Sequence, residues 1–504
     1  MEHIVCGDLR MSFSSLLGAV ASTAKVLREE FGVGHGDRVA ILAENCPQWI
    51  ISFWAAISLG AIASGLNGWW VRDEILYGLR DSDPKVLIAD AKRLARIEGS
   101  RHGLPVISVD NDFPAIWDRH AGAGLPEDTI CEDDAATILY TSGTTGRPRG
   151  AVSTHGNIIA LTRVYAFHGL RALLMAAERD DGPSPSPANC SLNTTPLFHV
   201  SGLFAGVVTA LMGGLKTVWT WGRFDPVEVM KLIESEKVTS WGPMGTMVHR
   251  VMSHPDLPDY DLSSMQNIGS GGAPVSAQLL ERMREVFPNA KRSLAVGYGL
   301  TETTSMVTVS FGDELADDPN SVGEPLPTIE IEIRDGEGRP LAEGKEGEIH
   351  VRGPLVMKQY WRRPRETAAT ILKGRWLKTG DIGLMKNGRL YISSRKRDLI
   401  LRGGENIYPA EIEQCLEKHP AVAEAAVLGV EHEELGQEVK AVVVLKKETT
   451  VGPAELRSWV AERLAYFKVP AHWELRTESL PRNPAGKVLK TVLAGEAESS
   501  FVEE

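Results

Sequence analysis

One rhythm repeats along the first part of the chain. A short apolar run, rich in β-branched residues, meets a polar turn and then a stretch whose apolar positions recur every three or four residues. The strand-like runs are "RVAIL" at 38–42, "KVLIAD" at 85–90 and "GLPVISVD" at 103–110. Residues 14–31 place Leu17, Val20, Ala21, Ala24 and Leu27 at helical spacing, with Lys25, Arg28, Glu29 and Glu30 on other faces. Strands alternating with helices predict a largely parallel sheet flanked by helices. The stretch 49–70 ("WIISFWAAISLGAIASGLNGWW") carries no charge, 200–221 carries only Lys216, and both are long enough to span a bilayer. Their place in the rhythm and their glycines predict instead a buried helix followed by a buried strand in each.

The pattern changes after Gly323. "IEIEIRD", "GEIHVRG" and "GRLYISSRKRDLILRGG" predict a small, mostly β region. "PAEIEQCLEKHPAVAEAAVLGV", "VKAVVVLKK" and "AELRSWVAERLAYFKVP" then predict a helix, two strands and a helix. That is a separate small α+β lobe, divided from the rest near residues 394–398, with Arg395-Lys396-Arg397-Asp398 as a hinge. The expected division is 1–396 and 397–504. "DDGPSPSPAN", at 180–189, reads as an exposed excursion.

A chain of 504 residues exceeds what one core holds, so several domains are expected. A net charge of -12 argues against nucleic acid or anionic lipid as partner. Cys6, Cys46, Cys131, Cys190 and Cys415 are scattered without a CxxC pair, which suggests neither a zinc site nor a disulfide framework. A reducing, cytoplasmic compartment fits, and no signal peptide or peroxisomal tripeptide is visible.

The chemistry begins at "TSGTTGRPRG", 141–150. Its glycines let backbone approach a ligand, and its amides, hydroxyls and arginines suit phosphate oxygens. No Gly-Lys-Ser/Thr closes it, so it is not the phosphate loop of nucleotide hydrolases. Five further clusters come after it: "PLFHVSG" (196–202), "GSGGAPV" (269–275), "GYGLTET" (297–303), "WLKTGDIG" (376–383) and "PRNPAGKVLK" (481–490). Each alone reads as a structural loop, and Glu302 or Lys487 alone as a solvated charge. Their joint order is specific.

In that order the sequence resembles the adenylate-forming superfamily of acyl-CoA synthetases, firefly luciferase and peptide-synthetase adenylation domains, over nearly the whole chain. The resemblance implies a large N-terminal region of α/β subdomains plus a small β subdomain, and a small, mobile α+β C-terminal lobe. It implies ATP, Mg²⁺ and CoA, an acyl-adenylate formed from a carboxylic acid, and transfer of the acyl group to a thiol. Thr141, Ser142, Gly143, Thr144, Thr145 and Gly146 would embrace the β- and γ-phosphates, with Arg149 where relatives usually carry lysine. Thr301 would contact the α-phosphate and Glu302 would bind Mg²⁺. Ser270, Gly271, Gly272, Ala273, Pro274 and the Gly297-Tyr298-Gly299 turn would form the adenine site. Asp381 would accept from the ribose hydroxyls with Arg395 assisting, and His199 would gate the acyl end. Lys487 would bridge carboxylate and α-phosphate. Gly403 and Gly404 would line a pantetheine tunnel after the lobe rotates about Arg397.

Phe198, Val200, Phe204, Trp241, Met244, Met247 and Met306 fall in the stretches expected to hold the acid's tail, although core filling is the commoner fate of such residues. Without an arginine in those stretches, a small dicarboxylate is disfavoured. A medium- or long-chain fatty acid leads, and an aryl or polycyclic acid stays open. Loading of a separate carrier protein, a noncatalytic sensor and a homodimer also stay open, as does peripheral membrane contact. Relatives often have a helical segment before the "GDLRMSF" hairpin. Here six residues precede Gly7, and a missing cover would lower stability.

Overall fold

The apolar runs become strands of two large sheets. The computed structural model describes all residues except 142–147, 179–189, 244, 272–276, 396–397, 399, 403–404, 408, 433–434, 448, 465, 483–487 and 496–504, and except a few side chains inside helices and strands. The first sheet has seven strands in the order Gln359–Tyr360, Arg149–Thr154, Ala135–Thr141, Ile62–Gly65, Arg38–Leu42, Val86–Ala89, Val106–Ser108. Neighbours from Ala135–Thr141 to Val106–Ser108 run parallel. Arg149–Thr154 and Gln359–Tyr360 extend the sheet antiparallel. Ile62–Gly65 and Val86–Ala89 are buried at every position, as in sheets covered on both faces.

The second sheet has nine strands: Glu324–Pro325, Met306–Phe311, Leu294–Gly299, Asn267–Gly271, Ser240–Trp241, Cys190–Asn193, Lys216–Trp219, Glu2–Cys6, Leu9–Ser12. Its central strands are parallel and its margins antiparallel.

Both long apolar stretches contribute to the core, although Met212 and Trp221 of the second are exposed. Helix Pro47–Ser58 buries Trp49, Ile50, Ile51 and Phe53 and hands over to Ile62–Gly65. The second stretch is a π-helical turn, Ser201–Val208, then Thr209–Met212 and the strand Lys216–Trp219. Among the described residues no helix is long and apolar enough to cross a membrane.

Helix Phe13–Phe31 is capped by Ser12, whose Oγ accepts from the Ser15 N–H at 3.0 Å. It ends at Gly32, whose φ of 63° favours glycine. One expectation fails here. Leu16 lies on the buried face with Val20, Ala24 and Leu27, whereas Leu17 is 54% exposed. The face that packs on Pro47–Ser58 is centred one position earlier than the spacing suggested.

The small β region is a four-stranded antiparallel sheet of Glu330–Arg334, Gly347–Arg352, Leu377–Lys386 and Arg389–Arg395. The C-terminal lobe contains the expected helices Pro409–Glu417 and Pro453–Ala461 and strands Val422–His432 and Gly436–Leu445. Ile400–Arg402, read as β from the run 388–404, pairs here with Glu405–Ile407, and the lobe adds two strands the pattern missed, Glu405–Ile407 and His472–Arg476, the latter parallel to Gly436–Leu445. It has its own core around Ile407, Ile412, Leu416, Val427, Val443 and Leu456. The fold is α/β, a large N-terminal region followed by a small α+β lobe. The excursion at 180–189 and the hinge residues Lys396 and Arg397 lie outside the described residues.

Candidate active site

The parallel strands Cys190–Asn193, Ser240–Trp241, Asn267–Gly271 and Leu294–Gly299 end at the same edge of the nine-stranded sheet. Three of the motifs leave from that edge. Ligands of open α/β sheets sit at the carboxyl ends of strands, where loops can converge.

The loop "TSGTTGRPRG" is anchored from the neighbouring sheet. Thr141 and Arg149 are Cα partners across the hairpin, while Ser142, Gly143, Thr144, Thr145 and Gly146 lie outside the described residues. A polar network holds the hairpin. The Tyr77 hydroxyl donates to the Pro148 carbonyl at 3.0 Å, Arg363 donates to Tyr77 at 3.1 Å and pairs with Asp81 at 2.6 Å, and Tyr140 donates to Asp81 at 3.0 Å.

Arg149 is the described cation of this loop. Its guanidinium lies over the Tyr360 ring, 4.5 Å from the centroid, and its Nε is buried without a hydrogen-bond partner. A buried charged donor without an acceptor fits an anionic ligand, and phosphate matches the guanidinium fork. The Tyr360 hydroxyl donates to Glu302 Oε1 at 2.7 Å. Burial and the adjacent Glu302 carboxylate push the phenol pKa upward, so it stays a donor.

Glu302 sits on the tight turn Thr301–Thr303. The Met357 N–H donates to the Glu302 carbonyl at 2.9 Å, and the Leu300 N–H to Thr303 Oγ1 at 2.8 Å. Thr304 leaves the turn with φ 58°. Its Oγ1 is 3.3 Å from Ser153 Oγ, which ties this turn to the strand that begins at Arg149. Thr301 is half-buried beside Glu302. Glu302 offers Mg²⁺ a hard oxygen ligand. Among the described residues it belongs to no group of three or more His, Cys, Asp or Glu, so the ion would take its other oxygens from phosphate and water, as Mg²⁺ commonly does.

Among the residues expected to meet the nucleoside, Tyr298 donates to Asp381 Oδ2 at 2.7 Å, and both are buried. Asp381 is held on its strand by its own N–H, which donates to Thr379 Oγ1 at 3.1 Å, while the Thr379 hydroxyl donates to the Ile349 carbonyl at 2.8 Å. Asp381 and Arg395 are Cα partners. The Arg395 side chain, Gly272, Ala273 and Pro274 lie outside the described residues. The Ser270 hydroxyl is committed to the Pro243 carbonyl at 3.1 Å, so it braces the loop. Gly271 and Gly297 are Cα partners, and Gly299 pairs with Met306. Met306 lies across Gly297 so closely that a Cβ there would be 2.0 Å from Sδ.

At the expected acyl end, His199 packs on Phe198 at 4.7 Å, and Phe198 meets Trp69 edge-on at 4.7 Å. Burial pushes the imidazole pKa down to about 4, so His199 is neutral at pH 7. Phe204 and Trp241 are fully buried, in separate core clusters. The Trp241 indole donates to Thr194 Oγ1 at 3.0 Å, and that hydroxyl lies 3.3 Å from Met247 Sδ. Val200, Met247 and Met306 are half-buried, and Met244 lies outside the described residues.

Lys487, Gly403 and Gly404 also lie outside the described residues, but the supports around Lys487 are clear. Arg482 and Val488 form an antiparallel bridge, and the Leu489 N–H donates to the Pro481 carbonyl at 2.8 Å. Arg482 pairs with Glu424 at 2.5 Å, and Lys490 with Glu413 at 2.7 Å. Nearby, burial and the carboxylates of Glu413 and Glu424 push Glu417 up to about 7.

Sequence reasoning missed Tyr360, Tyr77, Glu413 and Glu424. "KQYWRRP" carries neither a glycine turn nor a hydroxyl run, and a structural glutamate on a helix looks like a solvated one.

Residues 1–361 match the AMP-binding enzyme family, and residues 411–487 match the AMP-binding enzyme C-terminal domain. The chain is 34% identical over 526 residues to the long-chain-fatty-acid–CoA ligase of Bacillus subtilis, covering 97% of this chain and 90% of the relative. It is 34% identical over 490 residues to a feruloyl-CoA synthase of Amycolatopsis, covering 96% and 93%. Among solved structures, ATP-bound MatB from Rhodopseudomonas palustris matches with a TM-score of 0.86 at 30% identity, over 98% of this chain and 95% of that one.

Proposed function

Because the chain belongs to the AMP-binding enzyme family, we propose that it is an AMP-forming acid–CoA ligase acting on an acid with an apolar tail. In the first step the acid's carboxylate oxygen attacks the α-phosphorus of ATP and pyrophosphate leaves. In the second, the CoA thiolate attacks the acyl carbon and AMP leaves. The observation that carries this reading is that elements of three sheets bring their groups to the carboxyl end of Leu294–Gly299: Arg149, with its orphan Nε, and Glu302 share Tyr360, and Tyr298 bonds Asp381.

Each group has a role. Arg149 and the loop 141–146 take the β- and γ-phosphates, and Thr301 the α-phosphate. Glu302 would hold Mg²⁺, which would neutralise charge on the phosphates. Tyr298 lies against adenine, Asp381 accepts from ribose, and His199 stays uncharged at the acyl end. Lys487, carried by the lobe 397–504, bridges the reacting oxygens, and Gly403 and Gly404 line the thiol path. Such fixed charges act because the transition state spreads negative charge over phosphorus-bound oxygens.

For the tail, the half-buried Val200, Met247 and Met306 favour an apolar group. Phe204 and Trp241 belong to the core, which leaves less apolar lining than the sequence offered. A medium- or long-chain fatty acid is the first substrate to try, with aryl acids next. The test mixes the protein, ATP, Mg²⁺ and CoA with a pool of fatty, aryl, steroid and dicarboxylic acids and reads products by mass spectrometry. Acyl-CoA with AMP supports the ligase and names its acid. Acyl-adenylate without thioester would redirect the reading to a carrier-protein acceptor.

A further inference from the structure

Tyr360 touches both charges that the proposed function assigns to the triphosphate, and its own role rests on that assignment. It stands on the short strand Gln359–Tyr360, where Tyr360 pairs with Ala151. The segment is stitched on both sides. The Lys358 N–H donates to the Val152 carbonyl at 2.8 Å and the Trp361 N–H to the Gly150 carbonyl at 2.7 Å, while the Met357 N–H reaches the Glu302 carbonyl at 2.9 Å. The phenol is 2% exposed, so its position is set by packing.

Its ring and its hydroxyl do different work. The ring carries the Arg149 guanidinium on its face at 4.5 Å. Face stacking consumes none of the guanidinium's in-plane N–H groups, and the buried Nε has no other acceptor. The hydroxyl donates to Glu302 Oε1 at 2.7 Å. That bond orients the carboxylate without adding a positive charge, so its affinity for a cation survives. A direct Arg149–Glu302 ion pair would cancel both groups; no such pair exists among the described residues. We propose that Tyr360 is a positioning residue, a neutral spacer that keeps Arg149 and Glu302 apart and aims both at the Mg²⁺–triphosphate.

Two variants separate the two contacts. Tyr360→Phe keeps the ring and removes the hydroxyl; Tyr360→Leu removes both. ATP binding is measured by isothermal titration calorimetry, with and without Mg²⁺, and circular dichroism and melting temperature report the fold. A lost hydrogen bond to a charged group is worth roughly tenfold in affinity. Tyr360→Phe should therefore weaken Mg²⁺-dependent ATP binding about tenfold while leaving metal-free ATP binding unchanged. Tyr360→Leu should weaken metal-free binding as well, because Arg149 loses its platform. In a Glu302→Gln background, Tyr360→Phe should have little further effect.

Wild-type Mg²⁺ dependence in Tyr360→Phe, or equal behaviour of the two variants in a folded protein, overturns the proposal. Should Tyr360→Leu fail to fold, Tyr360→Phe and the Glu302→Gln background decide it alone. If the wild-type protein binds no ATP, the functional assignment fails instead, a result distinct from the loss of the Tyr360 role.

Discussion

His350 lies inside the sheet that carries Asp381. It is 1% exposed on Gly347–Arg352, with Glu332 and Lys378 as Cα partners on either side. Its Nδ1 is buried without a partner, and its Nε2 is 3.9 Å from Glu348. Burial pushes its pKa from 6.5 to about 4; Arg334 and Lys378 push the same way, and Glu348 and Glu332 oppose them. The folded state therefore keeps the ring neutral, while the unfolded chain takes up a proton as pH falls below 6.5. Stability from this group is complete above 6.5 and drains away as pH falls toward 4. Linkage with these two values gives a loss of about 2 kcal/mol between pH about 7.5 and about 5. The assay is urea unfolding at both pH values for the wild-type protein and His350→Gln, which cannot titrate. His199, also pushed to about 4, contributes to both proteins, so their difference isolates His350. The wild type should lose about 2 kcal/mol more than the variant on acidification. An equal loss would refute the argument, because the buried ring would then not be what resists protonation.

Three other outcomes are expected. Gly297→Ala should cost about 1–3 kcal/mol by overpacking against Met306, whose Sδ would be 2.0 Å away, and Met306→Ala should recover much of that in a denaturant titration. Lys487→Ala should abolish adenylate formation, read by pyrophosphate–ATP exchange, yet spare thioester formation from a supplied acyl-adenylate; equal loss of both steps would rule out two working positions of the lobe. Glu424→Gln should loosen Arg482 beside residues 483–487 and slow adenylation several-fold at unchanged ATP affinity, whereas a parallel loss in the thioester step would point to general destabilisation.

The alternation of apolar runs and helical periodicity was enough for the α/β layout, because buried parallel strands must be apolar and their crossovers amphipathic. It could not place short strands such as Gln359–Tyr360 or Glu324–Pro325, whose two residues have no period. Leu17 shows the limit of spacing in a helix: adjacent leucines fit the same arc, and only packing on Pro47–Ser58 selects Leu16. At the candidate site, glycine turns and hydroxyl runs mark where a ligand is expected to come close, since few residues tolerate that approach. The same signal cannot say which hydroxyls are left for the ligand. Ser270 reads from the sequence as part of the adenine site, and its hydroxyl proton goes to the Pro243 carbonyl. The supports were illegible for a different reason. Tyr360 lies 58 residues from Glu302, and no local pattern encodes a partner at that separation.

Those supports share a chemistry that explains the choice of residue. Asp381 receives the Tyr298 hydroxyl and Glu302 the Tyr360 hydroxyl, each at 2.7 Å. A lysine or arginine in either place would bind its carboxylate more strongly, but would also satisfy the charge the ligand needs. A phenol donates one hydrogen bond and brings no charge of its own. The aromatic body also fills the core, so orientation comes from packing as well as from the hydrogen bond. In the small lobe the demand is reversed. Glu413 and Glu424 meet full cations, Lys490 and Arg482. The contrast is confined to these four carboxylates, since Asp81 in the large region accepts from both Tyr140 and Arg363. It makes a specific demand on the working pair: exchanging a phenol for a cation should fix the carboxylate more tightly and yet weaken ligand binding.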